Sequence, residues 1–378
     1  MEKEEIGIYI HIPFCKSKCY YCDFTSYTDC KKLVIEKYIQ NVIKEMEAYD
    51  FSKYHVTTIY IGGGTPSFIP ENYILQLLEE LKKRLVENQT KWEKIEITIE
   101  INPGTVTFKK LEAYQLAGIN RISIGLQTTS NKLLKQIGRI HNHQEFQEAY
   151  QVVKKVGFEN INVDLMIGLP NQTIEDIKNS LEEIQKLSPT HVSVYSLIVE
   201  EDTKMEAMLR NRELELPEEE TERQMYWYVK NMLQLKGYQH YEISNFAKEG
   251  KKSKHNLNCW EQKQYIGLGA TAHSYLNNVR YSNAGFTKEG TWNFKDKKIE
   301  EKQTLEDKKK EYMLLGLRKI EGVSINKFKE RFVDNPIFLF REELEKLVKE
   351  GLIRIDGDRI FLTNRGIDVA NLVWEEFV

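Results

Sequence analysis

Short apolar runs rich in β-branched residues alternate with longer amphipathic stretches through the first half of the chain. The runs that predict β-strands are IGIYIHI, VTTIYIG, KIEITIEI, NRISIGL, NINVDLMIGL and HVSVYSLI. Between them lie stretches with helical spacing, among them LVIEKYIQNVIKEMEAYD, NYILQLLEELKKRLVEN and TIEDIKNSLEEIQKL. Strands that alternate with helices indicate repeated βα units and a parallel sheet. Six such units predict an open, incomplete barrel.

The pattern changes after about Leu216. The stretch LPEEETERQMYWYVKNMLQLKGY predicts a helix that ends at Gly237, and an irregular region rich in aromatic, Asn and Gly residues follows, up to about Asn293. From Thr304 the pattern is helix, helix and then GLIRIDGDRIFLT, which predicts two short strands around the turn DGD. We expect an α/β protein in three parts: a partial (β/α)6 TIM-like barrel (1–215), an α+β connecting region (216–300) and a small winged-helix-like module (301–378).

The composition is that of an ordinary globular protein. Apolar residues make up 41% of the 378 residues and charged residues 29%, and the net charge of -3 gives no general attraction to nucleic acid or anionic membranes. No apolar run approaches the roughly 20 residues that a membrane-spanning helix needs. The first ten residues, MEKEEIGIYI, are acidic and run into a predicted strand, so they do not resemble a signal peptide.

Unusual residues collect where the predicted strands end. In chain order they are HIPFC, GGGTPS, EINPGT, Gln127 with GRIH one helix later, Asp164 with GLP, and Tyr195 with EED. In a βα barrel, functional residues gather on the loops at the carboxyl ends of the strands. The six motifs therefore predict one shared site at the carboxyl ends of the strands, which we call the rim of the barrel.

Three of the five cysteines, Cys15, Cys19 and Cys22, lie within eight residues in the pattern C-x3-C-x2-C. An odd, crowded set argues against a disulfide framework and favours a reducing cytoplasm. Structural zinc usually takes four ligands, often as two close pairs, and Cys30 and Cys259 stand alone. A [4Fe–4S] cluster normally takes four thiolates. Three would leave one iron open to another ligand, so the missing fourth cysteine would be the functional feature.

This cysteine loop after the first strand, with the aromatic Tyr21 directly before its third cysteine, resembles the radical S-adenosylmethionine (SAM) superfamily. The resemblance implies a [4Fe–4S] cluster on the three cysteines, with SAM bound through its amino and carboxylate groups to the open iron. Reduction of such a cluster can cleave SAM to a 5′-deoxyadenosyl radical. Whether SAM is cleaved here or only bound is left open by the sequence.

The rim motifs suit such a cofactor, and each also has a plainer interpretation. Consecutive glycines let the backbone approach a ligand closely, although a tight turn also uses glycine. Glu100 could bind an ammonium or ribose hydroxyls, or could simply be a solvated strand end. The resemblance implies that SAM contacts Tyr9, Gly63 and Glu100 at a first site and, at a second, Tyr21, Gly64, Thr65, Gln127, Arg139 and Asp164.

Longer matches narrow the family. The segments YIHIPFCKSKCYYCDF, NRISIGLQT, DLMIGLPNQT and YSLIVEEDT resemble the oxygen-independent coproporphyrinogen III oxidase family, which includes the heme chaperone subfamily HemW. The oxidase has a further cysteine two residues after the third, where Phe24 stands here, and a long N-terminal extension. Both differences favour the chaperone subfamily. The alternative is the oxidase reaction, a radical decarboxylation of coproporphyrinogen III propionates to vinyl groups.

The second half resembles the same subfamily in GYQHYEISNFA, HNLNCW and YIGLGATAHSY. The subfamily carries H-N-x-x-Y-W, and Cys259 replaces its tyrosine here. An imidazole is a good axial ligand for heme iron, so the resemblance implies His255 as a heme ligand, with His273 or Cys259 as a second. A His-Asn pair is also a common loop anchor.

The expected partners follow from the resemblance. They are heme and a heme-acceptor protein, such as a respiratory protein, with peripheral association with a membrane as an option. Winged helices often bind DNA, but residues 301–378 hold 15 Lys plus Arg against 16 Asp plus Glu, which gives no electrostatic footprint for nucleic acid. A structural metal protein is the third class that the sequence leaves open.

Overall fold

A computed structural model describes residues 3–287 and 289–378. Its first part contains six strands, the helices that connect them and two helices that follow the sixth strand. The strands are β1 (Glu4–Ile12), β2 (Tyr54–Gly63), β3 (Glu96–Ile101), β4 (Arg121–Gln127), β5 (Asn160–Ile167) and β6 (His191–Ser196). The helices are α1 (Lys32–Glu47), α2 (Glu71–Glu87), α3 (Phe108–Leu116), α4 (Asn131–Gln136), α5 (His143–Val156), α6 (Ile174–Leu187), α7 (Lys204–Arg210) and α8 (Glu219–Leu235).

The six strands pair in parallel in chain order, from β1 to β6. Because all six run the same way, their carboxyl ends meet at one rim, as the sequence predicts. The register sets His11 beside Gly62 and Ile12 beside Gly63, which brings the segment after β1 against the glycines after β2. The partial (β/α)6 barrel predicted from the hydrophobic pattern is confirmed.

Alternation along the strands separates an apolar outer face from a polar interior. On β4, Ile122, Ile124 and Leu126 belong to the hydrophobic core, whereas the Ser123 hydroxyl donates to Asp164 of the adjacent strand β5 inside the barrel. The helices cover the outer face, and capping boxes fix the starts of α5 and α6. The barrel thus presents polar side chains to its own centre.

The segment that the sequence predicts as irregular, up to about Asn293, contains regular structure, so that prediction is wrong. Its elements are β7 (Gln239–Glu242), β8 (Asn245–Ala247), α9 (Lys254–Trp260), β9 (Gln264–Leu268), β10 (His273–Leu276) and β11 (Val279–Asn283). With β12 (Lys297–Lys302) these strands extend the barrel sheet at both edges: β9 pairs in parallel with β1, and β8 pairs antiparallel with β6. The boundary predicted at residue 216 therefore falls inside one continuous sheet, and it stays a prediction.

The last part has its own hydrophobic core, built around Phe328, Phe340 and Leu344. Its elements are α10 (Leu305–Gly316), β13 (Val323–Ser324), α11 (Ile325–Phe332), α12 (Pro336–Leu339), α13 (Arg341–Lys349), β14 (Ile353–Asp356), β15 (Arg359–Leu362), α14 (Asn364–Asp368) and α15 (Ala370–Glu375). The predicted hairpin is β14–β15, and β13 adds a third strand to it. Within the described residues, no helix combines the length and the apolar character needed to cross a membrane.

Candidate functional site

The cysteine loop leaves β1 and closes on itself. The N–H of Cys15 donates to the carbonyl of Tyr27 at 3.0 Å, and the N–H of Tyr27 donates to the carbonyl of Pro13 at 2.7 Å. In the middle of the loop the N–H of Tyr20 donates to the carbonyl of Ile137, just after α4. The three thiols are therefore carried by a loop that is fixed at both its base and its tip.

The glycines after β2 are required by the crowding around this loop. Gly63 has φ +110°, and a Cβ there would lie 2.5 Å from the ring of His11. A Cβ on Gly64 would lie 2.9 Å from the carbonyl oxygen of Ile12 and 3.0 Å from the Cys15 sulfur. The N–H of Gly64 also donates to that carbonyl at 2.9 Å. Only a bare backbone can come this close to the first cysteine.

Glu100 projects from β3 into the barrel, next to Gly62, Gly63 and Gly64, which we call the glycine segment. Its Oε1 accepts from the Tyr60 hydroxyl at 2.8 Å, and its Oε2 accepts from the N–H of Gly63 at 3.2 Å. Burial raises the pKa of the Glu100 carboxyl to about 7. A positively charged group that reached this carboxylate would favour its ionised form.

Asp164 lies on β5 inside a hydrogen-bonded group of polar side chains. Its Oδ1 accepts from Asn162 at 2.7 Å and its Oδ2 accepts from the Ser123 hydroxyl at 3.2 Å. Burial raises the pKa of Asp164, although these donors act against that shift. Ser123 and Asn162 therefore fix the orientation of the Asp164 carboxylate inside the barrel.

Gln127 and Arg139 approach the cysteines from β4 and from the end of α4. Gln127 is buried and adopts φ +67°, at a register shift between β4 and β5. Arg139 donates to the Cys19 sulfur at 3.6 Å and to the carbonyl of Gly125 at 3.3 Å. The strained backbone at Gln127 turns its side chain toward the same space as the guanidinium.

One cavity at the rim brings most of these residues together. Of the SAM residues predicted from the sequence, all but Tyr9 line it, and so do the three cysteines: Cys15, Cys19, Cys22, Tyr21, Gly63, Gly64, Thr65, Glu100, Gln127, Arg139 and Asp164. Tyr9 lies behind the cavity wall, where its ring stacks on Tyr60 and its hydroxyl bonds to His11 at 2.9 Å. Tyr9 can position its neighbours but does not face the cavity.

Two observations bear on whether a cluster and a nucleoside cofactor fit here. Buried polar atoms on the cavity wall, Arg139 Nε and Asn102 Oδ1, have no hydrogen-bond partner in the described structure, which suits a polar ligand. The cavity measures about 180 Å³, below the 300–1,000 Å³ usual for ligand pockets, so a nucleoside cofactor would extend beyond it. The residue types fit a cluster and a polar cofactor.

The thiols are not arranged as ligands of a single ion. Within the described residues, no group of three His, Cys, Asp or Glu side chains is placed to hold one metal ion. In a [4Fe–4S] cluster each cysteine binds a different iron, so convergence on one point is not needed. Burial raises the pKa of Cys15, and that of Cys22 to about 11. Metal binding is the ordinary way to deprotonate such thiols.

His255 lies at the opposite end of the barrel. It is on α9, its Nδ1 bonds to the Thr58 hydroxyl at 2.9 Å, and its ring stacks on Tyr60 with centroids 5.2 Å apart. The side chain is 8% exposed, and burial lowers its pKa to about 4. The two second ligands proposed with it lie elsewhere: His273 is exposed beside Glu300, and Cys259 faces Arg280.

Sequence reasoning missed several polar residues of the site. Ser123 and Asn102 line the cavity, and Tyr60 and His11 hold Glu100 and Gly63 in position. A signal was present: in RISIGLQ, position 123 shares the alternate register of Gln127, as it would if both pointed inward. Alternate residues of a strand face the same side of the sheet. Such residues can therefore be found by following this alternation along the whole strand.

Comparison with known proteins agrees with this architecture. Residues 9–184 match the family model of the radical SAM superfamily, and residues 303–369 match the HemN C-terminal domain. The fold is similar to the solved structure of coproporphyrinogen III oxidase (HemN) from Escherichia coli, with a TM-score of 0.82 and 21% identity over 100% of this chain and 90% of that chain. The barrel and its cysteine loop define a radical SAM protein.

Curated relatives narrow the class. The heme chaperone HemW of Lactococcus lactis is 38% identical over 98% of this chain and 96% of its own length. That of Bacillus subtilis is 36% identical over 98% of both chains, and that of Escherichia coli 38% identical over 71% and 69%. The chain belongs to the HemW family, as its resemblance predicts.

Proposed function

We propose that this protein is a heme chaperone, which binds a [4Fe–4S] cluster, SAM and heme and passes heme to an acceptor protein. The observation that carries the proposal is the full-length similarity to proteins named heme chaperones, together with a rim that keeps the three cysteines and the surrounding polar residues in one place. The superfamily match supports the cluster and SAM as its cofactors.

At the rim, Cys15, Cys19 and Cys22 would hold the cluster, which when bound offers one iron without a protein ligand. Thr65 and Arg139 each donate toward a sulfur, at 3.6 Å, and would stabilise the negative charge of the thiolates. The protein's part is therefore to fix the three sulfurs and to leave space beside them.

For SAM, Glu100 and the N–H groups of the glycine segment are the nearest polar groups on one side of the cavity. Glu100 would accept a hydrogen bond from an amino N–H of SAM, which would favour the ionised form of the carboxylate. On the other side Gln127, Arg139 and Asp164 offer an amide, a cation and a carboxylate. These would line the second SAM site that the family resemblance suggests.

His255 is the heme ligand that the family resemblance implies. Its surroundings limit the access of iron to its ring. Because the ring is buried and its Nδ1 is engaged with Thr58, iron can reach it only if α9 moves away from β2. The His255→Ala variant tests this directly by titration with heme. An unchanged absorption spectrum and affinity would remove the assignment, and loss of the bound spectrum in a folded variant would support it.

The alternative function is the oxidation of coproporphyrinogen III, which the fold similarity to HemN keeps in view. Phe24 stands where the oxidase has its additional cysteine, and this favours the chaperone. Anaerobic incubation with coproporphyrinogen III, SAM and a reductant separates the two. We expect stable heme binding without a divinyl product, and formation of that product would make the oxidase the correct function.

The acceptor, the membrane association and the compartment belong to the proposal. We propose a cytoplasmic protein, because its five cysteines are free thiols, with a respiratory heme protein as acceptor. Transfer of heme from the loaded protein to a heme-free respiratory membrane protein, compared with transfer to apomyoglobin, tests the acceptor. Faster transfer to the respiratory protein is expected, whereas equal rates would mean simple release of heme to any acceptor.

A further inference from the structure

A continuous series of hydrogen bonds, which we call the buried row, runs through the interior of the barrel. Its members are Asn162 on β5, His191 on β6 and Tyr241 on β7, and none of the three is more than 4% exposed. At one end Asn162 meets Asp164, which lines the rim cavity. At the other end Tyr241 meets Ser253, the residue that caps the start of α9. The proposed function gives His191 and Tyr241 no part.

The buried row consists of four hydrogen bonds. The N–H of Ser253 donates to the Tyr241 oxygen at 3.3 Å, and that oxygen lies 2.8 Å from His191 Nε2. His191 Nδ1 lies 2.6 Å from Asn162 Oδ1, and Asn162 Nδ2 donates to Asp164 Oδ1 at 2.7 Å. Every step is within hydrogen-bond distance, so polar contact is unbroken from the first turn of α9 to the rim.

The donors of the buried row all point toward Asp164. A carboxylate accepts hydrogen bonds, so the Asn162 amide turns its NH2 toward Asp164 and its oxygen toward His191. That oxygen requires a hydrogen on His191 Nδ1, and the bare Nε2 then accepts from the Tyr241 hydroxyl. Burial lowers the pKa of His191 well below its usual value, so the ring is neutral, as this arrangement requires. Each donor therefore polarises the next in the same sense, which favours negative charge on Asp164.

Further hydrogen bonds restrict the side chains of the buried row. The Ser193 hydroxyl donates to Asn162 Oδ1 at 3.1 Å, and Asn162 Nδ2 also donates to the Ser123 hydroxyl at 2.8 Å. With its oxygen and its NH2 both engaged, Asn162 cannot turn without leaving a buried group unpaired, which is costly. A change at Asp164 is therefore passed on to His191.

We propose that His191 and Tyr241 are positioning residues for Asp164, and that through them binding of SAM at the rim orders the start of α9. The inference rests on the proposed function, because Asp164 belongs to the second SAM site suggested there. Asp164 would be held in its ionised form by a donor group of SAM, and an ionised acceptor strengthens each bond of the buried row. By linkage, the state of α9 must then change the affinity for SAM by the same factor.

The first test measures SAM affinity by calorimetry on the full-length protein with its cluster reconstituted. Tyr241→Phe removes the hydroxyl that joins His191 to Ser253, and it is expected to weaken SAM binding about fivefold, as for the loss of one hydrogen bond. In the Asp164→Asn background the same substitution is expected to cause no further loss, because it acts through Asp164. An unchanged affinity in Tyr241→Phe, or an equal loss in both backgrounds, would overturn the proposal.

Tyr238→Phe is the matched control. Tyr238 is about as buried as Tyr241, with 5% of it exposed, and its hydroxyl donates to the carbonyl of Pro189 at 2.6 Å, outside the buried row. Its SAM affinity is expected to equal that of the wild type. An equal loss in Tyr238→Phe and Tyr241→Phe would mean that any lost hydroxyl of this region acts through stability, and the role of the buried row would be refuted.

The second test follows the amide hydrogen exchange of residues 253–260. Saturating SAM is expected to slow this exchange about fivefold in the wild type and in Tyr238→Phe, and to leave it unchanged in Tyr241→Phe. If SAM binds to the wild type without slowing exchange in α9, the coupling fails and the proposed cofactor site stands. If the reconstituted wild type binds no SAM, the proposed cofactor site fails, and the coupling fails with it.

A third measurement does not depend on SAM or on the folding of Tyr241→Phe. In nitrogen-15 NMR spectra of the full-length wild type at neutral pH, His191 is expected to be neutral and to carry its hydrogen on Nδ1. Its signals are identified as those missing from His191→Gln. A hydrogen on Nε2, or a charged ring, would reverse the direction of the buried row and overturn the proposal.

Discussion

The two ends of the barrel are built from the same strands but treat their polar side chains differently. At the rim, Gln127 has a strained backbone and Arg139 Nε lacks a partner in the described structure. At the amino end, His255 is bonded to Thr58, and Glu96 accepts both N–H groups at the start of α9. A strained backbone is typical of functional sites. Unmet hydrogen bonds do not separate the two ends, because Trp260 Nε1 of α9 also lacks a partner in the described structure.

The two ends of the barrel also differ in the space that they offer a ligand. The rim cavity is small and bounded by the cysteine loop. A groove at the amino ends of the first strands is larger, about 620 Å³, and charged side chains line it, among them Lys91, Lys94 and Glu5.

The strongest way to break the comparison is to remove the rim's sulfurs. The Cys15→Ala/Cys19→Ala/Cys22→Ala variant is expected to hold almost no iron or sulfide after anaerobic reconstitution, because no thiolate remains in the loop. Heme affinity should stay within about twofold of the wild type. Cys30→Ala, outside the loop, is the control and should retain the cluster.

A cluster that survives in the triple variant would contradict the rim assignment. Loss of heme binding together with the cluster, in a variant that stays folded by circular dichroism, would contradict the separation of the two ends.

The next effect comes from crowding at the glycine segment. In Gly64→Ala the added methyl would lie 2.9 Å from the carbonyl oxygen of Ile12, so the cysteine loop must shift. We expect stability to fall by about 1–3 kcal/mol and cluster content to fall sharply, measured by denaturant unfolding and iron analysis. Gly285→Ala is the matched control, since its nearest neighbour is 4.0 Å away. Equal behaviour of the two variants would contradict the close approach.

Glu100→Gln sharpens the comparison within the rim. Loss of the carboxylate should weaken SAM binding about 10- to 100-fold, the range for a hydrogen bond to a charged group. Because burial raises the pKa of Glu100 to about 7, wild-type SAM affinity should rise as the pH rises from 6 to 8. The variant should show no such rise in calorimetric titrations. A rise that persists in the variant would assign the titration to another group, and the exposed Glu112→Gln serves as control.

The smallest expected effect is at the amino end, where burial of His255 makes the free energy of unfolding depend on pH. The pKa of His255 is lowered to about 4 by burial and by Arg121, so the unfolded state binds its proton first as the pH falls. The free energy of unfolding of the apoprotein should therefore decrease from pH 7 to pH 5, with His255 contributing about 2 kcal/mol. In His255→Gln the decrease should be smaller by that amount. Equal decreases in both proteins would contradict the burial of this ring.

Much of the barrel was predictable because its signals are local. Each strand from β1 to β6 carries its own apolar run, and every rim motif except GRIH directly follows or closes a strand. The three cysteines and Gly63, Gly64 and Glu100 converge for this reason alone, since parallel strands end at one rim.

The rest depends on contacts that the sequence does not display. Strands β7 to β11 have three to five residues each, and β9 pairs with β1 although the two are far apart in the sequence. No local pattern therefore marks these strands. The same limit applies to His255 and Tyr9. The sequence shows an imidazole in a family signature and a phenol on a strand, but only the packing of α9 and of Tyr60 shows which way each one points.

The measurement that tests the central claim most directly is electron paramagnetic resonance of the anaerobically reconstituted and reduced wild-type protein, with and without SAM. If three cysteines hold a [4Fe–4S] cluster whose fourth iron accepts SAM, a cluster signal appears and SAM shifts its g-values. No cluster signal, or a signal that saturating SAM leaves unchanged, would contradict the account.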